Sequence, residues 1–182
     1  MYSQPTSTCT MASVVLAATA FAISSLWTSL ASAVPPKWTD WEQANAVGKE
    51  GAWLVIRQPD EGFCYIKQGY DGYSDKMDFL MKMDAIPHLT TPFFHGIQGD
   101  VSYRVDDGPV RIVPEEKANA LGIELSPEVV PEMKRGNRLT VRVKPVGKPT
   151  LEQSFDLRGF TAASEFLGSA ICREKVPDRH KY

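Results

Sequence analysis

Between residues 52 and 157 the chain places apolar and polar residues alternately, in short runs broken by Pro, Gly and Asp. A period of two marks strands with one buried face. It predicts strands over residues 52–58 (AWLVIRQ), 63–68 (FCYIKQ), 76–83 (KMDFLMKM), 100–106 (DVSYRVD), 110–113, 138–144 (RLTVRVK) and 151–157 (LEQSFDL). In 76–83 the residues Met77, Phe79, Met81 and Met83 take the inward positions; in 100–106 they are Val101, Tyr103 and Val105. Pro59-Asp60-Glu61-Gly62 supplies a turn, because Pro presets φ and Gly tolerates positive φ. Asp107-Gly108 turns the chain between 100–106 and 110–113, so these two runs read as a hairpin.

Two stretches change period. Ser126-Pro127-Glu128 reads as a cap, a Pro at the first helical position and an acidic first turn, with Gly136 as the stop of a short helix. Residues 159–173 carry Phe160, Ala163, Leu167, Ala170 and Ile171 at helical spacing, which predicts one closing helix with an apolar stripe. Before the first strand, Trp38 and Trp41 stand at i, i+3 and are expected to pin a short helical turn. The expected fold is therefore mainly β, an antiparallel sandwich or barrel of about seven strands with a C-terminal α-helix packed on it. The chain divides into a leader (1–33), an N-terminal approach segment (34–51), a β-rich domain with its helix (52–176) and a tail (177–182).

Charge alters the picture at the N-terminus. Residues 1–33 hold no Lys, Arg, Asp or Glu, and residues 11–34 are rich in Ala, Val and Leu and finish with Ala31-Ser32-Ala33. That pattern predicts a signal peptide cleaved after Ala33, and a periplasmic or secreted protein. An uncleaved anchor is the competing reading, against which stand seven Ser and Thr residues within the run; either Met1 or Met11 serves as the start. Cys9 lacks the upstream hydrophobic residues of a lipoprotein processing site. Removing the leader leaves two cysteines, Cys64 and Cys172, an even count where disulfides persist, so they are expected to pair and to fasten the closing helix to the sheet. Two buried free thiols are the alternative.

Composition excludes some classes. Of the 182 residues 43% are hydrophobic and 23% charged, with a net charge of −2. These are globular values, and a nucleic-acid binder would be far more basic. His88, His95 and His180 are the only histidines, the residue type suited to act as a base near neutrality, and no nucleophile elbow or metal-ligand spacing is present. The expectation is a protein that is not an enzyme and carries no cofactor. Two chemical alternatives remain: a small periplasmic hydrolase with His95 as base, Asp106 or Asp107 to orient it and Ser154 as nucleophile, and a periplasmic copper protein using Met77, Met81 and Met83. For binding, Arg104, Arg138, Arg142 and Lys144 form a basic strip if their strands are neighbours, interleaved with Asp106, Glu152 and Asp156 or clear of them. Phe93 and Phe94, with Tyr70 and Tyr73, are either an aromatic contact for a partner or core.

The segment Ser154-Phe155-Asp156-Leu157-Arg158-Gly159-Phe160-Thr161-Ala162-Ala163, continuing to Leu167 and Cys172, resembles the C-terminal signature of the invasion-associated locus B family. In that family a last strand ends in a Gly-Phe turn and enters a helix. Residues 101–108 (VSYRVDDG) and 132–140 (EMKRGNRLT) are similar to the family's central strand and its approach to the penultimate one. This chain lacks the cysteine pair that the family usually has near its middle, and a similar ending occurs in some type VI secretion-associated envelope proteins. The resemblance implies a small exported, non-enzymatic β-rich protein of a Gram-negative envelope, linked in some members to host-cell colonisation. Its partner would be an envelope or host protein or an anionic envelope polymer, with no stable membrane span once the leader is gone. Gly159 has a physical reading of its own: a strand-to-helix corner favours a residue without a Cβ.

Overall fold

A computed structural model describes residues 37–59, 61–69, 76–93, 95–119 and 122–173. The leader and its cleavage site, Cys9, Asp60, Tyr70, Tyr73, Phe94 and His180 lie outside the described residues. Among the described residues eleven strands form two antiparallel sheets. The larger contains β1 (Ala46–Glu50), β2 (Trp53–Gln58), β3 (Phe63–Gln68), β4 (Asp78–Lys82), β5 (Pro87–Thr90), β8 (Ala118–Asn119) and β9 (Gly122–Glu124), in the order β1-β2-β3-β4-β5-β9-β8. The smaller contains β6 (Val101–Val105), β7 (Arg111–Val113), β10 (Arg138–Val143) and β11 (Leu151–Asp156), in the order β11-β10-β6-β7. Short helices are α1 (Asp40–Ala44), α2 (Val130–Met133), α3 (Phe160–Phe166) and α4 (Ala170–Arg173).

Each of the seven alternating runs holds a strand, and the expected sandwich is present, but the sheets do not close into a barrel. The strand count exceeds seven because β1, β5, β8 and β9 are short or lack clean alternation. Strand β1, for instance, reads AVGKE and lies within the approach segment. The expected helix over 159–173 is broken into α3 and α4 at Leu167-Gly168-Ser169, where Gly168 and Ser169 bond back to Glu165 and Phe166 in tight turns. The capped helix after Ser126 begins as a 3-10 turn, Pro127–Val129, and continues as α2.

The core lies between the sheets. Gln68, Phe79, Leu89 and Ile123 form one row across the inner side of the larger sheet by register. Val101, Tyr103, Val105, Leu139, Val141, Val143 and Phe155 face them from the smaller. Trp53 meets Phe79 and Phe160 edge-on, each at 5.0 Å between ring centres, and Phe79 meets Phe155 of β11 at 5.9 Å, so both sheets and α3 share one aromatic knot. Met77 and Met81 are buried in this core, whereas Met83 lies beyond the end of β4 and is 48% exposed. The period-two pattern therefore overran the strand by one residue, and the three methionines cannot meet around one copper ion.

Two glycines bring the closing corner against the first hairpin. Gly159 adopts φ +87°, and a Cβ there would stand 2.3 Å from the Glu50 carbonyl oxygen; a Cβ on Gly51, at φ +58°, would stand 2.6 Å from the Arg158 carbonyl oxygen. Only residues without side chains allow the two backbones this close. Beyond that corner Cys172 of α4 is joined to Cys64 of β3, with their Cα atoms 5.2 Å apart, as expected of the closing helix.

Further polar fastenings hold the layers. The Gln153 side chain accepts a hydrogen bond from Met77 N (2.8 Å) and donates one to Met77 O (2.7 Å). In the opposite direction the Gln68 side chain donates to Asp156 O (2.7 Å) and accepts from Asp156 N (2.9 Å). Each amide satisfies a backbone pair that has no strand partner there. Helix α1 is set by a capping box, Thr39 Oγ1 accepting from Glu42 N and Glu42 Oε2 accepting from Thr39 N. Glu42 Oε1 also takes the Lys67 ammonium, which pairs with Asp78 at 2.9 Å as well. This buried group, rather than the tryptophan pair, anchors α1: Trp41 is 46% exposed, and Trp38 lies beneath the Lys49 ammonium at 4.9 Å.

Candidate functional site

Strand register decides which of the candidate binding residues meet. Thr140 of β10 stands opposite Arg104 of β6 and Ser154 of β11; Arg142 stands opposite Ser102 and Glu152; Arg138 stands opposite Asp156. Neighbouring strands lie about 4.8 Å apart, so Arg138 and Arg142 are the two diagonal neighbours of Arg104. Alternation puts all three on the outer face, away from the buried Leu139, Val141 and Val143, and Lys144 continues the series. The basic strip is therefore assembled. Arg104, Arg142 and Lys144 are exposed, and Arg138 is half-buried.

Two of the three acidic residues fall to one side of it. Glu152 and Asp156 line β11, and Asp156 is held by Arg158, whose Nε lies 2.9 Å from Oδ2. That guanidinium holds the Asp156 carboxyl below its ordinary range, against the opposite pull of partial burial. Asp106 is occupied at the far end: at φ +48° it turns the β6–β7 hairpin, and its carboxylate accepts from Asn137 N (3.0 Å) and Arg138 N (2.9 Å). The turn thus begins one residue before Asp107-Gly108, at Asp106, whose side chain can cap the neighbouring amides. The face is consequently graded: acidic along β11, basic along β10 and β6, then apolar at Ile112 of β7, which stands opposite Ser102.

The other candidates separate. Phe93 is 5% exposed and belongs to the core, so it is no partner contact. His95 is exposed, in the loop whose Ile97 bridges Pro145 beyond one end of β10, whereas Asp106 lies beside Arg138 at the other end. That is about 23 Å at roughly 3.3 Å per residue. Ser154 lies between them on β11 and shares a 3.3 Å hydrogen bond with Thr140. No base reaches this hydroxyl from His95, and the proposed hydrolytic set does not form. Among the described residues no three His, Cys, Asp or Glu side chains are placed to hold a metal.

A feature that sequence reasoning missed lies on the outer side of the larger sheet. Lys82, Asp84, Ile86, His88, Thr90 and Glu124 surround an open depression of about 350 Å³. His88 and Glu124 are cross-strand partners, and the imidazole rests where Gly122 has no side chain: a Cβ there would stand 2.1 Å from Nε2. Ala85, at φ +57°, makes the turn on its rim, with Asp84 Oδ1 accepting from Ile86 N at 3.2 Å. Lys82, Asp84, Ile86, His88 and Thr90 alternate along one local stretch of chain, and strand pairing adds Glu124 from β9.

The class of protein so defined is an open two-sheet sandwich whose short C-terminal helices are clamped by one disulfide. It is similar in structure to invasion associated protein B from Bartonella henselae, with a TM-score of 0.52 and 20% sequence identity, over 70% of this chain and 98% of that one. At this identity the likeness concerns the fold. The chain matches no protein-family model and no curated protein sequence.

Proposed function

We propose that the protein is an exported, non-catalytic binding protein of the periplasm or cell surface, and that it makes contact through the basic strip of Arg104, Arg138, Arg142 and Lys144. Its partner in this reading is an anionic component of the envelope or of a host surface, and its role is that of an envelope factor in host-cell colonisation. The observation that carries it is the strand register, which gathers cations from two strands on an open sheet face while Glu152 and Asp156 keep to β11. The Cys64–Cys172 disulfide is compatible with an oxidising compartment, and the fold it shares with invasion associated protein B supports the assignment to an envelope factor.

Two measurements test it. Intact mass of the protein from its own cells is expected to start at Val34, with two thiols that alkylate only after reduction; a retained leader with two free mature thiols overturns export. Replacing Arg104 and Arg142 together by Glu is expected to weaken binding to immobilised dextran sulfate by about tenfold or more at low salt, an effect that fades as salt is added. Unchanged binding overturns the assignment of the face.

A further inference from the structure

The edge of the same face indicates what carries the anions. Val110 is 59% and Ile112 53% exposed, the most exposed of the large apolar side chains among the described residues. Ile112 lies in one row with Ser102 and Arg142, and Val110 stands two positions earlier, just before β7 begins. Arg111 between them turns inward and forks onto Glu132, its NH1 at 2.9 Å from Oε2, so no charge on β7 itself interrupts the apolar pair. Sheet edges are commonly guarded by outward charges. This one is bracketed instead by Pro109 and Pro114, which cannot donate to an added strand.

A hydrophilic polyanion would engage the cations and leave Val110 and Ile112 in water. Another strand would meet the prolines. A bilayer surface satisfies both halves of the face, phosphates meeting guanidinium and ammonium groups while branched apolar side chains enter the region between headgroups and acyl chains. We propose that the outer face of the four-stranded sheet docks reversibly on a bilayer that carries anionic headgroups, with Arg104, Arg142 and Lys144 at the phosphates and the β7 edge dipped below them. This rests on the reading that the basic strip is the binding face, and names its partner.

The test uses the protein in the processed form isolated from its own cells. It is sedimented with vesicles of phosphatidylcholine, alone or with about a third phosphatidylglycerol, and binding to dextran sulfate is measured in parallel. Binding to the anionic vesicles only is expected. Replacing Val110 and Ile112 together by Ser should lower vesicle binding about tenfold or more and leave dextran sulfate binding unchanged; both positions are exposed, and an unaltered circular dichroism spectrum verifies folding. Vesicle binding equal to that of the parent, or equal binding to neutral vesicles, overturns the membrane proposal and leaves the basic face standing. Loss of a dimer in the Ser variant assigns the edge to a second copy and also overturns it. If Arg104→Glu with Arg142→Glu changes neither assay, the underlying reading fails.

Discussion

Strands β3 and β10 have the same length, six residues, and each lies between two antiparallel neighbours, yet their polar residues do opposite things. Those of β3 fasten distant chain. Cys64 holds Cys172, Lys67 holds Glu42, and Gln68 holds Asp156, at sequence separations of 108, 25 and 88. Those of β10 face only the strands beside them, Arg138 opposite Asp156, Thr140 between Arg104 and Ser154, Arg142 between Ser102 and Glu152. One sheet thus contains a hub whose polar groups serve stability; on β10 of the other, Arg142 points to solvent.

Breaking the hub should be costly in a definite order. Replacing Cys64 and Cys172 together by Ala removes a link across 108 residues, and the chain-entropy account sets the loss at about 4–5 kcal/mol in urea unfolding. Lys67→Met leaves Glu42 and Asp78 facing each other without the cation that joins them, and should cost about 3–5 kcal/mol. Its effect also depends on pH. Burial alone would lower the Lys67 pKa, but the hydrogen bond it donates to Glu42 and the charge of Asp78 outweigh it and raise the value above the ordinary 10.5. The stabilisation is therefore whole below pH 10.5 and is lost as pH rises through the folded-state value, so parent and Lys67→Met should converge in strongly alkaline unfolding experiments. Gln68→Ala strands the amide and carbonyl of Asp156 and should cost about 1–3 kcal/mol. On β10 the comparison sharpens: Arg142→Glu should move unfolding free energy by no more than about 0.5 kcal/mol, while altering binding. A large loss of stability there would show that β10 is a hub too.

Much of this architecture is legible locally. Alternation over 63–68, 100–106, 138–144 and 151–157 locates core strands because one buried face imposes a period of two on whatever sequence forms it. Ser126-Pro127 marks a helix start through its side-chain cap, and Gly159 marks a corner through its missing Cβ. Strands such as β1 and β9 escape this logic. Their burial comes from neighbours distant in sequence, so AVGKE and GIE carry no pattern of their own. Phe93 is ambiguous for a related reason: an aromatic loop residue looks the same in sequence whether it lies in the core or on the surface.

The amino-acid sequence by itself determined the fold class, the cysteine pair and the identity of the cations that could form a strip, since each depends on composition or on spacing within a few residues. Only the tertiary structure decided which cations are neighbours, that Glu152 and Asp156 stand to one side, and that His95, Asp106 and Ser154 never meet. Those facts follow from strand order and register, and a shift of one residue in register would turn every side chain of β10 to the other face. The same holds for the Glu42–Lys67–Asp78 group: three ordinary surface residue types became a buried anchor because α1 and β4 both close on β3.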